Sequence, residues 1–286
     1  MDPDSGGDFS SSVIFKTTVL TVAFTSIYFF ETKRSFTVFK PPKAKADTVV
    51  LKTTVDVHPE KKKKKKKTIY LTFDDGPNKG TKNVMNIIKQ EEVPVTLFVI
   101  GEHVYGSKLQ TDIYDSVSHS GWFEIANHSY THAFENRFNK FYASADSVVQ
   151  DFARCADSLH LKSNIVRTPG RNIWRTDSIN CTDIKSSIIA ADSLYKKGYK
   201  VLGWDLEWHF NEKQSLVQTA LEMLNEIDSA FAKNHTKTTD HLVLLAHDQI
   251  YIKKDDSSAL HNFIKELKSR DEYNFEQVSR YPGIEP

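Results

Sequence analysis

Two carboxylates stand side by side in the stretch IYLTFDDGPNKGT, residues 69–81, where Asp74 and Asp75 end an apolar run just before Gly76 and Pro77. Neighbouring carboxylates that lose water repel each other, so one takes up a proton unless a cation lies close. A divalent metal supplies that cation. The stretch NHSYTH offers further ligands: His128 and His132 stand four residues apart, about one helical turn, so their rings are expected to converge from one face. One Asp and two neutral imidazoles leave a divalent ion with net positive charge and open positions, a setting for hydrolysis near neutral pH. Nitrogen and oxygen ligands favour zinc, with cobalt, nickel or manganese also compatible.

Such residues need elements to bring them together. From residue 68 onward, apolar runs alternate with helix-like stretches. The pattern predicts strands over residues 68–73, 95–100, 123–127, 164–168, 200–206, 241–247 and 275–279, separated by amphipathic segments such as ASADSVVQDFARCADSLHL and SLVQTALEMLNEIDSAFAKN. This alternation predicts an α/β fold, a distorted (β/α) barrel of about seven parallel strands, with an open doubly wound sheet as the other arrangement. In such barrels the chemistry collects at the C-terminal ends of the strands. Asp74 and Asp75 follow the first strand, His128 the third, Arg167 the fourth, Asp205 and Glu207 the fifth, and His247 the sixth. A lone carboxylate at a strand end is commonly a helix cap, and a lone histidine is commonly a core residue. Five coincidences at successive strand ends argue for a shared site.

Composition excludes other classes. Residues 1–67 hold 14 Lys and Arg against 7 Asp and Glu, whereas residues 68–286 hold 24 against 30. A mildly acidic folded part argues against nucleic-acid binding. Cys155 and Cys181 are too few for a disulfide framework or a cysteine metal site. Within residues 1–30, the run VIFKTTVLTVAFTSIYFF at 13–30 approaches the length that spans a bilayer, and it is read as a single membrane anchor. Residues 31–67, with Pro41, Pro42 and a seven-lysine run, read as a flexible tether to a domain over 68–286. The basic residues after the apolar run would hold the domain in the cytoplasm under the positive-inside rule. No feature requires a protein partner.

The segments TFDDGP, HSYTH, RTPG, WDLEW and LLAHD, in this order, resemble the five motifs of the polysaccharide deacetylases of carbohydrate esterase family 4, the NodB-homology domain. The resemblance covers about residues 68–280. It implies a distorted barrel of about seven strands, a metal held by Asp-His-His, and hydrolysis of N-acetyl groups on the amino sugars of an acetylated envelope glycan. That substrate favours a membrane-anchored domain facing outward, against the charge rule. By position, Asp74 resembles the catalytic base and Asp75 a metal ligand with His128 and His132. Arg167 resembles the residue that orients the base, and His247 the general acid. Asp205 or Glu207 is expected to partner His247. Two departures stand out. The aromatic residue that usually follows the proline of the third motif is Gly170 here, which removes an aromatic wall but leaves a backbone N–H for an oxyanion. Trp204 and Trp208 flank the compressed fourth motif, either as core or as walls for the sugar or acetyl group. O-deacetylation and a catalytically silent glycan-binding domain are the alternatives. The inserts at 127–142 and 170–184, rich in aromatics and arginine, are expected to shape the substrate groove.

Overall fold

The computed structural model describes residues 65–284. The expected anchor at 13–30 and most of the tether lie outside these residues; among the described residues no helix is long and apolar enough to cross a membrane. The strands are β1 (Lys67–Gly76), β2 (Val95–Val99), β3 (Phe123–Asn127), β4 (Ile165–Val166), β5 (Ile173–Arg175), β6 (Asn180–Thr182), β7 (Lys200–Val201), β8 (Leu206–Glu207), β9 (His241–His247) and β10 (Tyr273–Phe275). They form one curled sheet in the order β6-β5-β7-β4-β3-β2-β1-β9-β8. The run from β7 to β8 is parallel throughout, while β5 pairs antiparallel with both β6 and β7. β10 pairs with Lys67–Ile69 at the start of β1, below the stretch of β1 that pairs with β2.

Parallel strands covered on both sides should read as continuous apolar runs, and β1 and β9 do. Side chains alternate across a strand, so β1 divides its residues between two layers. Ile69, Leu71 and Phe73 pack outward with Leu242 and Leu244 of β9 against helix residues such as Val84, Ile88, Leu260 and Ile264. Tyr70 points inward to a second cluster with Phe98, Trp174, Val243 and Tyr281, which fills the lower interior of the sheet. Thr72 and Asp74 continue that inward face towards the C-terminal mouth.

The helices follow their local signals. Asn78 caps the helix Lys79–Glu91 through a capping box with Thr81, and Thr219 caps Ala220–Ala232 through a box with Glu222. In the helix Ala145–Leu159 the buried residues Val148, Asp151, Phe152, Cys155 and Leu159 follow a helical period, with Asp151 the polar exception.

Three expectations need correction. The strand expected at 200–206 is two short strands: β7 pairs with β4, and after residues 202–205 the chain pairs with β9 as β8. No ladder joins β7 to β8, so among the described residues the barrel is incompletely closed, and residues 202–205 cross between its two flanks. The insert at 170–184 holds an unforeseen hairpin, β5 with β6. The last strand lies at 273–275 and not 275–279, because residues 278–280 turn into a 3-10 helix.

Candidate active site

In a regular strand Asp74 and Asp75 would point to opposite faces. The β1–β2 register shifts between Asp74 and Gly76, and Asp75 takes φ 75°. This bulge turns the second carboxylate to the same mouth as the first, and a left-handed backbone at a non-glycine residue is a strain that sites of function retain. Asp75 Oδ2 accepts a hydrogen bond from Gln249 Nε2 at 3.0 Å, and its carbonyl lies 3.0 Å from His103 Nδ1.

Asp74 has a different environment. Arg167 is fully buried inside the sheet, and its Nη1 donates to Asp74 Oδ1 and to Thr72 Oγ1, each at 2.8 Å. Its Nε and Nη2 donate to the carbonyls of Leu202 and Gly203 at 3.2 and 3.0 Å, and the guanidinium stacks 4.0 Å from the centre of the Phe98 ring. Burial draws the Arg167 guanidinium below its usual value, against the pull of the Asp74 carboxylate. The carbonyls come from residues 202 and 203, so the link between β7 and β8 also seats this arginine.

His128 and His132 do converge, but not across a helical turn. Ser129 has φ 68° and His132 φ 46°, and His132–Asn136 form a single left-handed turn. Asp151 holds the loop between the two histidines: its carboxylate accepts from Tyr130 N at 3.0 Å, Thr131 N at 3.1 Å and the Thr131 hydroxyl at 3.1 Å. Asn127 Oδ1 accepts from Ser129 N at 2.8 Å. His128 Nδ1 sits 2.9 Å from the carbonyl of Arg167. A carbonyl can only accept, so Nδ1 carries the proton and Nε2 is left to bind at the mouth.

The three expected ligands form a group whose donor atoms all lie within 4.8 Å of one another. Asp75 Oδ1 lies 3.5 Å from His128 Nε2 and 3.2 Å from His132 Nε2, and it is a buried oxygen with no hydrogen-bond partner. An orphaned carboxylate oxygen facing two imidazole nitrogens fits a divalent ion. Burial pushes the Asp75 carboxyl up, but the two imidazoles and the charge of His247 outweigh it and hold Asp75 well below the usual range. Burial likewise opposes protonation of His128, and the Asp74 and Asp75 carboxylates overcome it and raise its pKa.

One cavity of about 370 Å³ collects Asp74, Asp75, His128, His132, Gly170, Trp204, Glu207 and His247. His247 Nδ1 is buried without a hydrogen-bond partner, and its ring packs edge-on against Phe210 at 5.0 Å. Asp205 is not brought to the cavity. Its two oxygens accept from Lys237 N at 2.7 Å and Val243 N at 2.8 Å, so it ties two backbone segments together, and burial raises it to about 6. Of the two acids of the fourth motif, Glu207 shares the mouth with His247. The tryptophans also divide: Trp204 lines the cavity, whereas Trp208 is core, its Nε1 donating to the Gln218 carbonyl at 2.8 Å and its ring 4.8 Å from Phe263.

Residues matching the family model for polysaccharide deacetylases span 61–172. Over these residues the chain is similar to that family. A peptidoglycan-N-acetylglucosamine deacetylase of Bacillus cereus is 27% identical over 228 residues, which cover 77% of this chain and 73% of that protein. A putative polysaccharide deacetylase of Bacillus subtilis, YheN, is 25% identical over 64% of this chain, and the alignment spans 58% of that relative's length. The catalytic domain of a peptidoglycan N-acetylglucosamine deacetylase from Eubacterium rectale has the same fold, with a TM-score of 0.54, 20% identity, and coverage of 75% of this chain and 90% of that one.

The site also draws on residues that motif reading missed. A Cβ at Gly170, where φ is +61°, would come within 2.8 Å of the Phe138 ring. Phe138 therefore supplies an aromatic wall from another element, in the space that a larger residue at 170 would need. Phe210 lines the cavity as well. Gln249 and His103 hold Asp75, and Asp151 holds the loop between the two histidines. Asp151 alone left a legible trace, as a carboxylate on the apolar face of its helix.

Proposed function

We propose that this protein is a metal-dependent hydrolase that removes N-acetyl groups from the amino sugars of a cell-envelope glycan and releases acetate. One observation carries the reading: a ligand set of Asp75, His128 and His132 opens into the same cavity as a second carboxylate, Asp74, fixed by a buried arginine, and a histidine, His247. Zinc is the ion that the donor set favours. A divalent ion held by these three residues would polarise the acetyl carbonyl and acidify water.

The side chains have distinct tasks. Asp74, aimed by the Arg167 guanidinium, takes the proton of the attacking water. Gly170, which lines the cavity, would offer its backbone N–H to the developing oxyanion. His247 protonates the leaving amine, and Glu207 lines the same mouth. Trp204, Phe138 and Phe210 give the acetyl group and sugar apolar walls. The relatives whose names specify peptidoglycan amino sugars support an envelope glycan as substrate.

The test is acetate release from a panel of N-acetylated and O-acetylated glycans, read beside elemental analysis of the purified protein. We expect acetate from N-acetylated glycans and about one divalent ion per chain, with metal content lost in His128→Ala. Full metal content in that variant, or release from O-acetyl esters alone, would overturn the assignment.

A further inference from the structure

A second cavity, of about 380 Å³, opens beside the active site and is lined by Asn136, Arg137, Phe138, Asn139, Lys140 and Arg171. It shares Asn136 and Phe138 with the catalytic cavity, and Arg171 follows Gly170 directly in the chain. The two cavities therefore adjoin each other. The folded part of the chain is acidic, with 24 Lys and Arg against 30 Asp and Glu over 68–286, yet all three charged residues of this cavity are cations.

Arg171 is built into place. It is 8% exposed, its Nε donates to Ser187 Oγ at 3.2 Å and its Nη1 to the Gly170 carbonyl at 2.7 Å. The guanidinium lies 5.3 Å from the Phe138 ring centre and 5.1 Å from that of Tyr142. These contacts use two of its five N–H donors and fix the plane of the fork. Arg137 and Lys140 are exposed, and Arg137 Nε donates to the Phe134 carbonyl at 2.6 Å. Among the described residues, each ion pair of a lysine or arginine involves other side chains than these three. A buried, oriented guanidinium with two further cations around one cavity is a receptor for a negatively charged group.

We propose that this cavity binds an anionic substituent, a carboxylate or a phosphoryl group, on a sugar next to the one that loses its acetyl group. The inference rests on the proposed deacetylase reading and narrows its substrate class from acetylated glycans to acidic ones. Phe138 is the shared wall. One face of its surroundings meets Gly170 at the reaction centre and another meets Arg171, so the charge is read at a fixed offset from the acetyl group.

The test is equilibrium binding of short oligosaccharides to the intact protein, which needs no turnover. Three probes are compared: a neutral N-acetylglucosamine oligomer, one of the same length carrying lactyl carboxylates, and one carrying 6-phosphates. At low salt we expect an anionic probe to bind about tenfold more tightly than the neutral one, the scale of one charge-assisted contact. That ratio should fall towards one in Arg137→Gln/Lys140→Gln and in Arg171→Gln, and it should shrink as salt rises. Whichever anion shows the preference identifies the source of the charge. Arg171 is buried, so the surface double variant keeps the test decisive if Arg171→Gln fails to fold. Equal affinities for all three probes, or a preference that survives the double variant, would overturn the proposal. Acetate release from neutral and acidic glycans with equal affinities would remove the charge-reading cavity and leave the deacetylase standing. Charge-selective binding without acetate release would do the reverse.

Discussion

The two neighbouring aspartates differ in what surrounds them more than in where they sit. Asp74 is fixed by a guanidinium at 2.8 Å, whereas one oxygen of Asp75 is orphaned opposite two imidazoles. The consequence can be measured by exchanging each for its neutral isostere. On the proposed roles, Asp75→Asn should lose metal and activity together. Asp74→Asn should keep its metal and lose turnover by about 10²- to 10⁴-fold, the usual cost of removing a general base. Metal analysis and turnover on one glycan substrate separate the cases, and an empty site in Asp74→Asn would reverse the two roles. The bulge at Asp75 explains how adjacent residues come to divide this labour, since regular alternation would have sent one of them into the helix layer.

Among elements, the loop between β3 and the helix Ala145–Leu159 shapes the candidate metal site. It carries both histidines, turns left-handed at Ser129 and again from His132 to Asn136, and takes its shape from Asp151 on the buried face of the helix. Left-handed backbone costs roughly 1–2 kcal/mol per residue for ordinary side chains, so the loop holds this form only because its surroundings over-determine it. Asp151→Ala removes the acceptor of two backbone N–H groups and one hydroxyl without touching a ligand. Metal affinity should fall about 10- to 100-fold, as for other residues that orient ligands. Competition with a chromophoric chelator measures this. An unchanged affinity in a folded variant would show that the loop keeps its shape without Asp151.

Across the whole molecule, the end of β9 is tied to the start of the first helix by a buried acid. Asp248 is 1% exposed and meets Asn78 and Thr81, and burial is the largest of the causes that raise its pKa to about 8 from an ordinary value of 3.8. The folded protein then binds this proton more tightly than the unfolded chain. The stabilising contribution is full below pH 3.8 and is lost as the pH rises through about 8. Thermal unfolding between pH 5 and pH 9, on the order of the range in which this group titrates, should show wild-type stability declining while Asp248→Asn declines less. Parallel profiles would mean that Asp248 does not set this dependence. The N-terminal segment belongs to the same level of organisation. If residues 13–30 anchor the chain, the intact protein should stay with membranes through a carbonate wash, and a chain starting near residue 65 should be soluble and retain the fold, because β1 begins at Lys67. Recovery of the intact chain in the soluble fraction would refute the anchor, and protease accessibility in spheroplasts would report the side on which the domain lies.

Much of this was legible in the chain. Buried parallel strands are read as apolar runs, and the residues placed at their C-terminal ends meet because the strands share one direction: Asp74, His128 and His247 needed no more than that. The two short strands β7 and β8 were not separable, since residues 200–206, KVLGWDL, read as one strand and only the ladders offered by β4 and β9 divide it. Asp205 and Glu207 looked equivalent two residues apart. Backbone donors at Lys237 and Val243, distant in sequence, claim the first and leave the second at the mouth. The lost aromatic at Gly170 was visible, but its replacement by Phe138 was not, because the two residues are neighbours only across the folded loop. Local pattern encodes which residues avoid water and where elements end. Which of two similar side chains reaches the site depends on partners far along the chain, and those partners exist only once the sheet has curled.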